Sequence, residues 1–102
     1  MIHVLAIITA KPGLRARILD AYRDNVAAVR AEDGCLGYEA VVDAAAAAPG
    51  LAQFGADTFV VVEKWASMQA LQAHAIAPHM KAYGSKVKEW TASRAIHVLE
   101  PA

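Results

Sequence analysis

The sequence predicts an α+β fold with an antiparallel sheet, in which the elements follow the order β-α-β-β-α-β. Three features of the pattern indicate this order. Four short segments are rich in β-branched and aliphatic residues, which favour strands. One long amphipathic stretch lies between the first two segments, and a second helical region separates the last two. At 102 residues the chain has the size of one ordinary domain, about 100–150 residues. We therefore expect residues 1–102 to form a single domain.

The first half of the chain contains a strand, a helix and a second strand. Residues 2–9 (IHVLAIIT) are nearly all apolar and stop at a Lys-Pro-Gly turn. Residues 14–32 repeat apolar side chains at helical spacing, with charged side chains on the opposite side, so we predict a helix lying on a sheet. Its apolar positions are Leu14, Ile18, Tyr22, Val26 and Val29. Gly34 and Gly37 flank the start of the second strand, predicted over 35–42.

The second half begins with a long connection. Residues 43–57 (DAAAAAPGLAQFGAD) combine an alanine run with proline and glycine and show no amphipathic pattern. They predict either a long loop between the second and third strands or a solvated hairpin extension. Ser67 is a candidate N-cap and Pro78 a candidate first helical residue. The elements predicted after the connection are a strand over 58–65, helices over 67–75 and 78 to about 91, and a strand over 94–99.

This order is that of a ferredoxin-like sandwich, in which helices cover one face of the sheet. The predicted strands, however, are largely apolar on both faces. Large exposed apolar patches are rare on soluble monomers and usually mark an interface. The chain is also 57% hydrophobic with a formal net charge of zero, so little charge repulsion opposes self-association. We therefore expect a homodimer, the commonest symmetric assembly.

Charge and composition also limit the classes of partner. Lys plus Arg and Asp plus Glu both number 10, so no nucleic-acid or anionic-membrane partner is expected. No apolar stretch approaches the roughly 20 residues that span a bilayer, and the apolar start lacks a basic leading region and a cleavage-type ending. The single Cys35 cannot form an internal disulfide and fits a reducing compartment. We expect a cytoplasmic protein, with Cys35 a small buried residue.

Polar chemistry is densest between Phe59 and Met80. Glu63 and Trp65 are two residues apart on a strand, so both side chains face the same side of the sheet. His74 follows on the short helix, near its apolar stripe, and His79 comes directly after Pro78. Imidazole is the side chain best suited to act as a general base near neutral pH, because its ordinary pKa is about 6.5.

These residues also carry a resemblance to a known family. Glu63-x-Trp65-x-Ser67, then Ala70-Leu71-x-x-His74 and Pro78-His79, resemble the signature block of the antibiotic biosynthesis monooxygenase family. The turn Ala10-Lys11-Pro12-Gly13 and the segment from Arg30 to Tyr38 fall where that family has similar pieces. The resemblance covers nearly the whole chain except residues 43–57.

The resemblance implies a dimeric α+β barrel, made from two ferredoxin-like sheets packed face to face. It also implies a monooxygenase that uses dioxygen and a small aromatic, phenolic or quinol-type substrate, without metal, flavin or haem. On this basis His74 and Glu63 are the candidate catalytic residues, with His74 as the proton acceptor. The candidate substrate-binding residues are Tyr38, Trp65, His79 and Tyr83.

Each candidate also has a purely structural interpretation. His74 could cap or pack the end of its helix, His79 could face solvent, and Glu63 could pair with an arginine. Trp65 and Tyr38 could be ordinary core and cross-strand residues. No metal site is expected, because His74 and His79 lack the spacing that aligns two ligands on one helical face. His3 and His97, on strands that would be neighbours, have no accompanying carboxylate or cysteine. Two other functions stay open: an isomerase or other proton-transfer enzyme, and a non-catalytic ligand-binding module.

Overall fold

A four-stranded antiparallel sheet with the strand order β2-β3-β1-β4 forms one layer of the computed structural model, which describes residues 1–46 and 48–102. Helices cover one face of this sheet, and the predicted ferredoxin-like α+β fold is confirmed. No helix in these two ranges is long and apolar enough to span a bilayer. The elements are β1 (Ile2–Ala10), α1 (Arg15–Arg30), β2 (Cys35–Val41), β3 (Thr58–Trp65), α2 (Met68–Ala75), α3 (Pro78–Val87), a 3-10 turn (Lys88–Trp90) and β4 (Thr91–Leu99).

The hydrophobic core lies between the helices and one face of the sheet. In the register of the two central strands, Val4 lies opposite Glu63 and Ile8 opposite Phe59. Because side chains alternate along a strand, these positions share the helix-facing side. The largest fully buried side chains are Trp65, Phe59, Ile18, Val4 and Val29. The predicted helical stripe of α1 and the predicted inner face of β3 therefore form one core.

Three elements have a boundary that differs from the sequence prediction by two or more residues. The predicted helix 14–32 is observed as Arg15–Arg30, and the predicted helix 78–91 ends at Val87. The last strand begins at Thr91 rather than at residue 94. Thr91 pairs with Ala10 of β1 across the sheet, and its Oγ1 donates a hydrogen bond to the carbonyl oxygen of Val87 at the end of α3. The local pattern of polar residues around Thr91 does not indicate that this residue pairs with a distant strand.

The long connection between β2 and β3 contains no helix or strand within residues 42–46 and 48–57. Neither strand of the alternative hairpin extension is therefore present in those residues. The Asp43 carboxylate accepts hydrogen bonds from the backbone N–H groups of Phe54 and Gly55, at 3.0 and 2.8 Å. These bonds join the two ends of the connection. Ala47, part of the alanine run in the predicted connection, lies outside the described residues.

The sheet face that points away from the helices has an apolar centre. Its central residue Ile7 lies opposite Val60 on β3 and Ala95 on β4. Polar side chains such as His3, Lys64 and His97 lie toward its margins. None of the helices found in residues 1–46 and 48–102 covers this face. Its apolar side chains are Leu5, Ile7, Val41, Val60, Val62, Ala95 and Leu99.

Helix α2 approaches the turn after α1 very closely at Gly34. A Cβ atom at this position would lie 2.6 Å from the Cβ of Ala70 on α2. The carbonyl oxygen of Gly34 also accepts a hydrogen bond from the N–H of Ala66, at 2.8 Å. The backbone φ of Gly34 is +81°, in the left-handed region that only glycine adopts at low cost. Gly34 therefore satisfies both a conformational and a steric requirement.

We predict that Gly34→Ala destabilises the protein by about 2–4 kcal/mol, because it adds a close contact to the cost of a positive φ. Gly13 is the matched control, since its φ is +79° but nothing lies within 4 Å of an added Cβ. Gly13→Ala should cost only about 1 kcal/mol. Urea unfolding of both variants measures the difference, and equal losses would show that the contact with Ala70 is unimportant.

Candidate active site

His74 is a buried residue held by a well-capped short helix. Ser67 precedes α2 in an extended conformation, and its Oγ accepts a hydrogen bond from the N–H of Ala70, as the sequence predicted. His74 lies near the end of this helix and is only 5% exposed. Its ring packs against Trp65, with the ring centroids 4.6 Å apart, and meets the edge of Tyr38 at 5.6 Å. The imidazole is therefore fixed on two sides by aromatic rings.

The two ring nitrogens of His74 face two different carboxylates. Nδ1 lies 2.9 Å from Oε2 of Glu32, a hydrogen-bonding distance. Nε2 lies 3.9 Å from Oε1 of Glu63, too far for a hydrogen bond. A carboxylate only accepts hydrogen bonds, so Glu32 fixes the proton on Nδ1 in the neutral ring. Nε2 is then left with a free lone pair.

Glu63 is a buried carboxyl group on the helix-facing side of β3. Its Oε1 accepts a hydrogen bond from Nε1 of Trp65 at 3.0 Å. It makes no ion pair with an arginine within the described residues, so the expected arginine pairing is wrong. Burial raises the pKa of Glu63, against the opposing effects of the Trp65 hydrogen bond and of His74. Glu63 can thus hold a proton more readily than an exposed glutamate does.

A cavity of about 780 Å³ lies between the sheet and helices α2 and α3. Its buried end contains Tyr38, Glu63 and His74, with apolar side chains such as Val4 and Val61. Tyr83 also lines it. The cavity opens between α3 and β4, where its lining residues are exposed. A site of this size accommodates a small aromatic molecule.

The two tyrosines of the cavity remain protonated phenols. Burial raises the pKa of Tyr83 to about 12. Burial and the nearby Glu63 raise the pKa of Tyr38 far above its ordinary value. Tyr38 also stacks on Tyr22, with ring centroids 5.4 Å apart. Both hydroxyls are therefore suited to donate hydrogen bonds to a ligand rather than to remove its proton.

Two of the candidate residues do not line the cavity. Trp65 is fully buried behind Glu63, and its contribution is the hydrogen bond to that carboxylate. His79 is half-buried on the far side of Glu32, with its Nε2 3.3 Å from Oε2 of that residue. Its Nδ1 lies 3.2 Å from Oδ1 of Asn25. The structure therefore brings His74, Glu63, Tyr38 and Tyr83 to the cavity and puts Trp65 and His79 outside it.

Glu32 and Asn25 were not recognised as site residues from the sequence. Glu32 belongs to the segment from Arg30 to Tyr38 that carries part of the family resemblance, but nothing local assigns it a role. It meets His74 from 42 residues away in the chain. A carboxylate at the end of a helix, directly before an Asp-Gly turn, was the only available signal. Asn25 lies on a charged stretch of α1 and had no distinguishing signal.

His3, His97 and Cys35, the other residues considered for metal ligation or thiol chemistry, do not line the cavity. Within residues 1–46 and 48–102, no group of three or more His, Cys, Asp or Glu side chains is arranged to hold a metal ion. His3 and His97 share the outer face of the sheet but are offset, since His3 lies opposite Leu99 and His97 opposite Leu5. Cys35 is half-buried, and burial raises the pKa of its thiol.

The structure is a ferredoxin-like domain with a buried histidine, a buried carboxyl group and two phenols around a largely apolar cavity. The model of the family described as "Antibiotic biosynthesis monooxygenase" matches residues 1–86. The chain belongs to this family and is a monooxygenase.

Individual relatives and solved structures are similar to nearly the whole chain. The chain is 38% identical to "Probable quinol monooxygenase YgiN" of Escherichia coli strain K12, over 99% of this chain and 98% of that protein. The solved structure of PA3566 from Pseudomonas aeruginosa is similar, with a TM-score of 0.81, 26% identity, and coverage of 99% of this chain and 93% of that one. Rv0793 from Mycobacterium tuberculosis gives a TM-score of 0.80, 26% identity, and coverage of 99% and 94%.

We predict that Glu63→Gln changes how stability depends on pH. Folding raises the pKa of Glu63 above its ordinary value of 4.5, so ionisation of this carboxyl group opposes folding. Its contribution to stability is fully present below about pH 4.5 and is lost as the pH rises through the raised pKa. Glutamine can still accept the Trp65 hydrogen bond but cannot ionise. The melting temperature of Glu63→Gln should therefore rise relative to that of the native protein as the pH increases above about 4.5.

The control is Glu89→Gln, which removes an exposed carboxylate. Its melting temperature, measured by circular dichroism at the same pH values, should change with pH by the same amount as that of the native protein. A constant offset between Glu63→Gln and the native protein would contradict the raised pKa.

Proposed function

We propose that this chain is a cofactor-independent monooxygenase for a small aromatic, phenolic or quinol-type compound, with His74 as the proton acceptor. The observation that carries the proposal is the position of the His74 ring. Its Nδ1 is engaged by Glu32, which does not line the cavity, while its Nε2 is directed toward Glu63, which does. A free imidazole nitrogen at the buried end of an apolar cavity is the arrangement expected of a general base.

Proton removal is the step that these residues supply. A phenolic hydroxyl at the buried end donates its proton to Nε2 of His74, and the imidazolium that forms is stabilised by the Glu32 carboxylate at Nδ1. In its protonated form Glu63 can supply a proton to an oxygen atom at the same end of the cavity. The hydroxyls of Tyr38 and Tyr83 are donors to the aromatic anion. Trp65 and Asn25 act indirectly, by orienting Glu63 and His79.

The overall reaction balances without an external reductant. A quinol with an unsubstituted ring carbon and one molecule of dioxygen give a hydroxylated quinone and one molecule of water. One oxygen atom forms the new bond to the ring carbon, and the other leaves as water. The quinol supplies all the electrons, two in oxidation to the quinone and two in hydroxylation of the ring. The proton taken by His74 returns to the departing oxygen atom.

The quinol class of substrate is supported by the relative from Escherichia coli, a probable quinol monooxygenase. The apolar and phenolic lining of the cavity suits an aromatic ring of the same kind. An isomerase of the same fold would use the same base but would form product without consuming dioxygen. Oxygen uptake therefore separates the two reactions.

We also propose that the active form is a homodimer, joined through the outer face of the sheet. The centre of this face is apolar, and the described helices all lie on the other side. Two such faces packed against each other would remove their apolar side chains from water, about 25 cal/mol for each Å² buried. The same packing would give the dimeric α+β barrel that the sequence resemblance implies.

We predict that His74→Gln lowers the rate of oxygen uptake by about 100-fold or more, because it removes the general base. The assay uses an oxygen electrode and a panel of hydroquinones in metal-free buffer with chelator, with autoxidation subtracted. Labelled dioxygen should place one labelled atom in each molecule of organic product.

The matched control is Gln72→Ala, an exposed position on the same helix, which should keep full activity. Circular dichroism of both variants tests folding. Undiminished uptake by a folded His74→Gln protein would remove His74 from its proposed role. Product formed without oxygen uptake would indicate an isomerase instead.

We predict that Ile7→Asp converts the dimer to a monomer, because it introduces a charge at the centre of the apolar outer face. The mass in solution can be measured by light scattering coupled to size-exclusion chromatography. Ile76→Asp is the control, since Ile76 is 69% exposed in the connection between α2 and α3. A native protein of monomeric mass, or an Ile7→Asp protein that remains dimeric, would refute this interface.

A further inference from the structure

The charged residues around the cavity are unevenly distributed between its two ends. The buried end contains Glu63, the one acidic side chain among the described lining residues, beside His74. The open end is lined by three basic side chains, Lys81, Lys88 and Arg94. The chain as a whole has equal numbers of acidic and basic residues. The excess of positive charge at the opening is therefore a local feature of the cavity.

The secondary structure directs these three side chains to the same opening. Lys81 and Lys88 are seven residues apart, close to two helical turns, and Ser85 lies between them on the same side. All three line the cavity. Arg94 approaches from the sheet, because it lies opposite Ile8 in the register of β4 with β1. Ile8 also lines the cavity, so Arg94 is on the helix-facing side of β4.

No ion pair within the described residues neutralises these three basic side chains. Lys86 behaves differently on the same helix: its Nζ lies 3.9 Å from Oδ2 of Asp24, and it does not line the cavity. Cations grouped at the mouth of a cleft with apolar walls focus the electrostatic field and attract anions. An arginine with a free guanidinium group is also well suited to bind a carboxylate through two parallel hydrogen bonds.

We propose that the substrate carries a carboxylate on a side chain remote from the reacting hydroxyl, and that Lys81, Lys88 and Arg94 bind it at the opening of the cavity. This inference rests on the proposed function, because it takes the buried end as the place of the reacting ring. The ring enters with its hydroxyl toward His74, and the carboxylate stays at the partly hydrated opening. Charge then orients the substrate, while the apolar walls bind the ring.

Binding measured without oxygen tests the proposal separately from catalysis. The probes are hydroquinones with an acetic, propanoic or butanoic acid side chain, each paired with its neutral primary amide. Isothermal titration calorimetry under nitrogen compares the pairs. At low salt we expect at least one acid to bind about tenfold more tightly than its amide, the effect of a charge-assisted hydrogen bond. The preference should shrink at about 1 M salt, which screens exposed charges.

Substitution tests the location of the anion site. Lys88→Gln and Arg94→Gln should each reduce the preference for the acid, and the double variant should reduce it to about twofold or less. Binding of the amide should hardly change. A misfolded variant would instead lose binding of both the acid and the amide. Lys86→Gln, which removes a neighbouring lysine outside the cavity, is the matched control and should keep the full preference.

The outcomes separate this inference from the proposed function. Equal binding of acid and amide throughout the series overturns the inference, as does tighter binding of a neutral hydroquinone with an alkyl chain of the same length. Absence of binding by every acid also overturns it. Acids that bind with the expected preference but cause no oxygen uptake would support the anion site and refute the monooxygenase reaction on these compounds.

Discussion

The hydrogen bond between Glu32 and His74 is the contact on which the site depends. It joins the turn after α1 to helix α2, two parts of the chain that meet only through tertiary packing. The close approach at Gly34 makes the contact possible, because a larger side chain there would push α2 away from the turn. With Nδ1 engaged, Nε2 of His74 is left free toward Glu63 and the cavity. Backbone geometry at one glycine thus helps to position an imidazole on another element.

Burying this many polar groups in a small core is costly unless each one is satisfied. In the described part of the chain, no buried side-chain nitrogen or oxygen atom lacks a hydrogen-bond partner. Trp65 donates to Glu63, Glu32 lies between His74 and His79, and His79 reaches Asn25. An apolar core of the same shape would be easier to stabilise. The fold nevertheless retains connected polar side chains beside the cavity. Their retention supports a catalytic role.

The two faces of the sheet differ in the side chains that they carry and in what covers them. The helix-facing side combines the core with the cavity, and its edge strand β4 is left largely exposed where the cavity opens. The outer side has an apolar centre around Ile7, with polar side chains toward its margins. Assembly through the outer side would leave the opening between α3 and β4 on the helix side of the sheet. A substrate could then enter each subunit without separation of the dimer.

The sequence by itself determined the order of the elements, the N-cap at Ser67, the helix start at Pro78 and the shared face of Glu63 and Trp65. These features follow from local periodicity and capping, which act over a few residues. Only the tertiary structure decided that Glu32 meets His74, that Glu63 pairs with an indole rather than an arginine, and that His79 lies outside the cavity. It also decided that β4 begins at Thr91. Each of these features depends on contacts between distant segments of the chain. A single sequence does not specify such contacts, because the spacing of residues along one element does not show which other element packs against it.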